Sequence, residues 1–388
     1  MKEEKVQPVL SGHIDVENDV ATSAAKGIRL QSLDFYRGLI MVLLMIESSG
    51  LYEHLNDLTL GSPLNSIVIQ FFHFHWHGLH FWDLIQPGFM FIAGVALAFS
   101  LHKQTARGIA CNTQAKKALK RSGWLFFCGV LDYAVRGDHL SCDVWDVLTQ
   151  LAVSVLLAFF IFGWKIGDQL LFTVGLLLLT ECLYRFTNIP GFDQPFVDQH
   201  NFGNYVVLLL MNKINHDGWV AINCIPTAAH TIWGAVVGKW LLSLPDNRSK
   251  LTRIFLFAAI TLLVGYGLDL TGITPIIKRI ATTSFTLVSA GWCLLSLGIF
   301  YWWIDILKHN RFLKFFVIVG MNSIFIYIFF EIIVSRWLAN YLTVIVKGIM
   351  STDFFSPMST SIIASVVIFA VEWNLCFWLY RKKIFFKL

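Results

Sequence analysis

Long, nearly uncharged apolar stretches recur along the chain, separated by short polar segments. A helix that crosses the hydrocarbon layer of a membrane needs about 20 mostly apolar residues. By this measure the pattern predicts about ten spans, at residues 38–51, 82–101, 122–136, 146–164, 168–186, 218–241, 253–270, 280–304, 313–334 and 357–380. The apolar runs are continuous rather than alternating, which favours helices over strands. We therefore predict an all-α, polytopic integral membrane protein.

The composition agrees with that class and excludes several others. Hydrophobic residue types make up 56% of the 388 residues and charged types 14%, about half the charge of an average soluble domain. Intrinsically disordered and collagen-like chains are therefore excluded. The seven cysteines include no Cys-x-x-Cys pair and lie mostly in apolar segments. We interpret them as core residues rather than as a disulfide framework.

The distribution of basic residues predicts the orientation in the membrane. With both termini placed in the cytoplasm, roughly three quarters of the 30 lysines and arginines fall in cytoplasmic stretches. The net charge of +5 then reflects topology, and we expect no binding of nucleic acid because the basic residues form no single stripe. Residues 1–28 are polar and contain no apolar signal-peptide core, so we expect a flexible cytoplasmic tail followed by one transmembrane domain over residues 29–388.

The densest group of ionisable residues is the segment HFHWHGLHFWD, residues 73–83, at the predicted outer entrance of the second span. If the segment is helical, one face carries His73, Trp76, His77 and His80. An imidazole held in a cavity is suited to accept a proton or to carry an acyl group. The spacing of His73 and His77 also suits a metal site that His80 or Asp83 would complete. The structural alternative is a belt of rings at the membrane interface, which we favour for His75.

Other polar residues lie inside or beside apolar segments. Glu47 lies late in the first span. A carboxylate there is either the partner of a cation or a functional acid–base group. Asp34 and Arg37 stand three apart at the start of the same span, and their spacing alone favours a helix cap and a snorkelling side chain. Residues 320–323, Gly-Met-Asn-Ser, suit either close helix packing or the wall of a ligand site. The longest outside loop, 187–217, is either a cover over a site or an inert connector.

Three pieces of the chain together resemble a known family. They are RLQSLDFYRGLIMVLLMIESSG at 29–50, HFHWHGLHFWDLIQPGFMFIAGVALAFS at 73–100 and GMNSIFIYIFFEI at 320–332. In this order they resemble the heparan-α-glucosaminide N-acetyltransferase family, which includes bacterial NagX-like members. The resemblance implies a membrane-embedded acetyltransferase. It would take the acetyl group from cytosolic acetyl-CoA and deliver it to an amino sugar at the periplasmic side of the bacterial inner membrane.

The resemblance also implies roles for individual residues. The family's active histidine corresponds to His73, and the asparagine that accompanies it in the family is Glu47 here. We expect Glu47 to orient the imidazole. We place Asp83 with these catalytic residues, but expect it to hold local structure more than to take part in chemistry. The animal members carry asparagine at the position of His77, which weighs against a metal, and we expect none. The arginine of a family Gln-Arg pair is replaced by Gln150.

The remaining predictions concern ligands and partners. On the acceptor side we assign substrate binding to Trp76, His77 and His80. The phosphates of CoA need cations at the cytoplasmic face, and there we assign cofactor binding to Arg37, Lys120, Arg121 and Asn322. Membrane lipid surrounds the chain, and a homodimer is suggested by the resemblance alone. Two alternatives stay open, namely an amino-sugar permease without acetyltransferase activity and a metal-dependent membrane enzyme.

Overall fold

A computed structural model describes residues 30–134, 143–350 and 355–386, so the predicted tail 1–28 lies outside the described residues. The main helices, in chain order, are α1 Gln31–Ser48, α2 Leu51–Thr59, α3 Phe81–Ala106, α4 Cys111–Ala134, α5 Val147–Phe160, α6 Ile166–Phe186, α7 Phe202–Met211, α8 Cys224–Ser243, α9 Asn247–Leu270, α10 Thr283–Ile306, α11 Leu313–Gly320, α12 Ser323–Ile349 and α13 Pro357–Arg381. Over the described ranges the extended pairing is limited to one antiparallel bridge, between His77 and Ile277.

The lengths and compositions of these helices confirm an all-α, polytopic membrane protein. Within the described ranges, six helices are long and apolar enough to cross a membrane, namely α3, α6, α9, α10, α12 and α13. A seventh span results if α1 and α2, bent by 68° at their junction, count as one. Where the structure describes them, the ten predicted segments each overlap a helix, although several extend beyond its ends. The total of ten spans and the location of the termini stay predictions.

Several element boundaries differ from the prediction. Helices α1 and α4 begin well before the apolar stretches, at Gln31 and Cys111, because a helix continues past the apolar part into polar sequence. The ninth segment is interrupted between Gly320 and Ser323, and its second part continues to Ile349. The segment 187–217 is not a plain loop, because it contains α7. The side chain of Asn201 caps that helix by accepting the backbone N–H of Asn204 at 3.2 Å.

The histidine segment is not helical, so the predicted common face of its residues was wrong. Helical structure begins only at Phe81. The buried carboxylate of Asp83 accepts the backbone N–H groups of Phe74 at 3.2 Å and His80 at 2.8 Å. These bonds hold the preceding chain as a loop against the start of α3. Gly78 has a φ of +147°, a value that favours glycine, and its N–H donates to the carbonyl of Ile276 at 2.9 Å.

The core is organised around α8, whose residues are buried over most of its length. Helix α3 crosses α8 with backbone against backbone. A Cβ atom on Gly94 would collide with the main chain of Thr231, and one on Gly234 would collide with the main chain of Phe91. Small residues permit such close crossings of membrane helices. The crossing fixes the start of α3, where Asp83 lies, relative to the rest of the helical bundle.

Candidate active site

A cavity of about 200 Å³ lies between α1, α3, α4, α5 and α12, at the end of the bundle where α1 ends and α3 begins. Its wall contains both residues that the sequence analysis placed at the centre of the site, His73 and Glu47. It also contains side chains from distant parts of the chain, among them Trp82, Trp219, Lys278 and Tyr327. The fold therefore brings the predicted catalytic histidine and the first-span carboxylate to one space.

Asp83 is the carboxylate that contacts the His73 ring. Its Oδ1 atom lies 3.0 Å from His73 Nδ1, and its side chain is fully buried. Asp83 also accepts two backbone N–H groups of the preceding loop. A carboxylate against one ring nitrogen fixes the orientation of the ring and, by accepting an N–H, leaves the other nitrogen available as a base or nucleophile.

Glu47 has a different partner from the one expected. Its Oε1 atom accepts the indole N–H of Trp82 at 2.9 Å. Because Trp82 precedes Asp83, the two carboxylates are connected through consecutive residues at the start of α3. Glu47 is thus linked to the His73–Asp83 pair only indirectly, through its hydrogen bond to Trp82. Asp83 itself contacts the imidazole. Glu47 lines the same cavity as His73.

Lys278 is a site residue that the sequence analysis did not find. It lies between α9 and α10, its side chain is 7% exposed, and its Nζ atom lies 3.0 Å from His73 Nδ1 and 3.5 Å from Asp83 Oδ1. Burial lowers the pKa of Lys278 to about 8, while Asp83 acts in the opposite direction. Partial burial and then the Lys278 ammonium lower the pKa of His73 below its ordinary value.

The predicted acceptor residues hold the loops beside the cavity. His77 Nε2 lies 2.7 Å from Asp269 Oδ1, and His80 Nδ1 lies 2.9 Å from the carbonyl of Phe72. The indole of Trp76 donates to the carbonyl of Phe196 at 2.8 Å. The three side chains therefore engage separate partners, and their role in substrate binding stays a prediction. In the described ranges, no group of three His, Cys, Asp or Glu side chains is placed to hold a metal ion.

Three of the four predicted cofactor-binding residues lie together toward the opposite end of the bundle. Lys120 and Arg121 line a cavity of about 620 Å³ between α3, α4 and α5. Arg37 is close enough to Arg121 for their positive charges to repel each other. In the described structure the Nε atom of Arg121 is buried without a hydrogen-bond partner. Paired cations with a spare donor are suited to an anionic group such as phosphate.

The fourth, Asn322, has a structural environment. Its amide nitrogen donates to the carbonyl of Ile384 at 3.1 Å, and its amide oxygen accepts the N–H of Phe386 at 3.0 Å. The side chain is buried in the break between α11 and α12 and holds the segment that follows α13. These contacts explain why Asn322 is buried without any role in cofactor binding, and that role stays a prediction.

Gln150, which stands where the resemblance implies an arginine, joins three helices. Its Oε1 atom accepts the amide of Gln86 at 2.9 Å and the hydroxyl of Thr227 at 3.3 Å, and its amide donates to the carbonyl of Trp145 at 3.0 Å. The side chain is buried and all three contacts are uncharged. A neutral network here closes the packing between α3, α5 and α8 next to the cavity wall.

The comparison with known families agrees with this geometry. The family model described as Heparan-alpha-glucosaminide N-acetyltransferase, catalytic, matches residues 29–270, which is more than half of the chain. The matched part contains Glu47, His73 and Asp83, whereas Lys278 and Asn322 lie beyond it. Among curated proteins, no sequence matches the chain significantly. The extent of the family match shows that this chain belongs to the heparan-α-glucosaminide N-acetyltransferase family, a family of transmembrane N-acetyltransferases.

Proposed function

We propose that the protein transfers an acetyl group from acetyl-CoA to the amine of a glucosamine-type sugar, with His73 as the base or the acetyl carrier. The observation that carries this proposal is the His73 ring at the cavity wall, held at 3.0 Å by the buried Asp83, in a chain of this family. An oriented imidazole is the most common proton acceptor in enzymes.

In the base route, both substrates are bound together. The sugar nitrogen attacks the thioester carbonyl carbon, a C–N bond forms and the C–S bond breaks. His73 takes the proton that the amine loses, and passes it to the sulfur of the departing CoA. Asp83 stabilises the charged ring that forms between these two proton transfers.

In the carrier route, His73 reacts twice. The free ring nitrogen attacks the thioester carbon, so that an N–C bond forms while the C–S bond breaks and CoA leaves. The sugar amine then attacks the acetyl carbon, which forms the amide and breaks the bond to the ring. In the first step the ring proton leaves with CoA as its thiol, which gives a neutral acetyl-imidazole. In the second step the proton that the amine loses restores the neutral imidazole.

The two ends of the bundle suit the two substrates. We place the phosphates of acetyl-CoA at Arg37, Lys120 and Arg121, which the predicted orientation locates at the cytoplasmic face. The amino sugar then meets His73 at the opposite, periplasmic face of a bacterial inner membrane. Because CoA carries several negative charges, it cannot enter the hydrocarbon, and a path between helices is needed for its thioester arm.

The test is release of CoA thiol from purified protein supplied with acetyl-CoA and glucosamine. We expect His73→Ala to reduce the rate by about 10²–10⁴-fold if the ring acts as a base, and more if it carries the acetyl group. His75→Ala is the matched control, because His75 is exposed and lies in the same loop. Turnover in His73→Ala equal to that of the unmodified protein would contradict the proposal.

Two further measurements separate the remaining alternatives. Incubation with radiolabelled acetyl-CoA and no sugar labels the protein in the carrier route and leaves it unlabelled in the base route. Uptake of labelled glucosamine into proteoliposomes without acetyl-CoA, together with no CoA release, would instead favour the permease.

A further inference from the structure

Lys278 is a buried cation that the proposed reaction does not yet use. Lysine is seldom buried unless it is paired, and the exposed fraction of this side chain is 7%. Its Nζ atom lies 5.4 Å from the centre of the Trp219 ring. Lys278 lines the same cavity as His73 and Glu47.

The fold delivers Lys278 to His73 through the loop between α9 and α10. The backbone of His77 pairs with that of Ile277, and the N–H of Gly78 donates to the carbonyl of Ile276. Asp269, near the end of α9, accepts both the N–H of Ile276 at 2.8 Å and the ring of His77 at 2.7 Å. The residue that follows the pairing, Lys278, is thereby held against the histidine loop.

The contacts around Nδ1 of His73 restrict the protonation of its ring. Asp83 Oδ1 and Lys278 Nζ each lie 3.0 Å from this atom. Nδ1 either donates its proton to Asp83 or accepts one from Lys278, and the first arrangement leaves the lone pair on Nε2. A second proton on the ring would place two positive charges side by side in a partly buried space.

Other charges near the ring have their own partners. Arg279 lies over the Trp219 ring and bonds the carbonyl of Asp217, and Glu47 accepts the indole of Trp82. The Asp83 carboxylate faces both His73 and Lys278. Lys278 thus balances the negative charge that would otherwise stabilise a protonated His73.

We propose that Lys278 is a positioning residue for the acetyl transfer, which keeps the His73 ring uncharged between turnovers and so preserves the free nitrogen that attacks or accepts a proton. The role rests on the proposed function of His73, but the state of the ring is measurable without turnover. Lys278 acts through His73 and Asp83, and its ammonium takes part in no bond that forms or breaks.

The experiment is an NMR titration of ¹³C,¹⁵N-histidine-labelled protein in nanodiscs, with the His73 signal assigned by its absence in His73→Gln. Four forms are compared, namely the unmodified protein and the variants Lys278→Met, Lys278→Gln and Lys278→Arg. Lys278→Gln keeps a hydrogen-bond donor without charge, and Lys278→Arg keeps the charge. Lys213→Met is the matched control, because Lys213 pairs with Asp143 at 2.6 Å rather than with the His73–Asp83 pair.

We expect His73 to take up its second proton at a higher pH in Lys278→Met and Lys278→Gln, by one pH unit or more, toward the ordinary value of about 6.5. Lys278→Arg and Lys213→Met should titrate as the unmodified protein does. For each form the rate of CoA release is divided by its own maximum. As the pH is lowered, this relative rate should begin to fall at a higher pH in the two uncharged variants than in the unmodified protein. At pH 5 each uncharged variant should therefore retain a smaller fraction of its maximal rate than the unmodified protein does.

An unchanged His73 midpoint in both uncharged variants would overturn the proposal, as would a shift of equal size in Lys278→Arg. A purely structural role would lower the rate at every pH and leave the midpoint in place. Failure of the proposed function has a different signature, because full turnover in His73→Ala contradicts that function whatever the titration shows.

Discussion

The indole N–H of Trp82 donates to the Glu47 carboxylate at 2.9 Å, one residue before the Asp83 side chain that holds the His73 ring. The end of α1 and the start of α3 are therefore joined by a hydrogen bond that lies directly on the cavity wall. Glu47 lines the cavity, whereas Asp83 is fully buried and contacts the His73 ring, which also lines the cavity. One is bonded to an indole, and the other to an imidazole and an ammonium. Because the two carboxylates have different partners, we expect substitution of Glu47 and of Asp83 to have different effects on stability and activity.

Replacement of Asp83 should lower both the folding stability and the activity of the protein. Asp83→Asn leaves the Lys278 ammonium buried without its counter-charge, and loss of one partner of a buried pair costs about 3–5 kcal/mol of folding stability. We also expect CoA release to fall by about 10²-fold or more, because the ring loses its charged acceptor. Thermal unfolding and CoA release in the same preparation test both effects. Asp168→Asn, which alters an exposed carboxylate in the first turn of α6, is the control.

Replacement of Glu47 separates its hydrogen bond from its charge. Glu47→Gln keeps an oxygen that accepts the Trp82 indole, so we expect near-normal stability and a change in rate alone. Glu47→Ala leaves the buried indole N–H unpaired, at a cost of about 1–3 kcal/mol. Unfolding temperature and CoA release distinguish the two variants. Equal loss of stability in both would show that the charge, rather than the hydrogen bond, supports the fold.

The cations at the opposite end should govern affinity for the donor. We expect Arg121→Ala to raise the KM for acetyl-CoA by about tenfold and to change kcat little, since a charge-assisted hydrogen bond contributes about 1.5–3 kcal/mol. The effect should shrink at high salt. Lys103→Ala, which removes a cation from the end of α3, is the matched control. A fall in kcat with an unchanged KM would place the phosphates elsewhere.

Asn322 offers a test between packing and ligand binding. Asn322→Ala removes both bonds to the chain after α13 and leaves the Ile384 carbonyl and the Phe386 N–H without this partner. Because Ile384 and Phe386 are exposed, water can replace the lost partner, and we expect a loss of only about 0.5–1.5 kcal/mol in stability for each bond. Increased proteolysis near the C-terminus with an unchanged KM for acetyl-CoA would support the packing role. A raised KM in a protein of normal stability would support the predicted cofactor role instead.

The sequence was sufficient for the helical class, because the length of an apolar run is a local property. The family resemblance led to two residues, His73 and Glu47, that line one cavity without contacting each other in the way expected. The sequence was insufficient for the path of residues 73–80, whose helical spacing is overridden by the Asp83 carboxylate that binds their backbone. Lys278 was missed because its contact with His73 joins residues 205 positions apart. No local sequence pattern predicts the backbone bridge between the loop that carries His77 and the loop that carries Ile277.

The crossing of α3 and α8 determines how a mutational screen of this protein must be interpreted. Gly94 lies three turns along the helix that begins beside Asp83, and any side chain there meets the main chain of Thr231. Alanine at Gly94 or Gly234 would therefore abolish activity from a distance, by displacing the helix that carries the site. A screen that selects for activity alone would therefore score these glycines as no less essential than His73. Catalytic residues can be told from packing residues only when the amount of folded protein is measured for each variant as well.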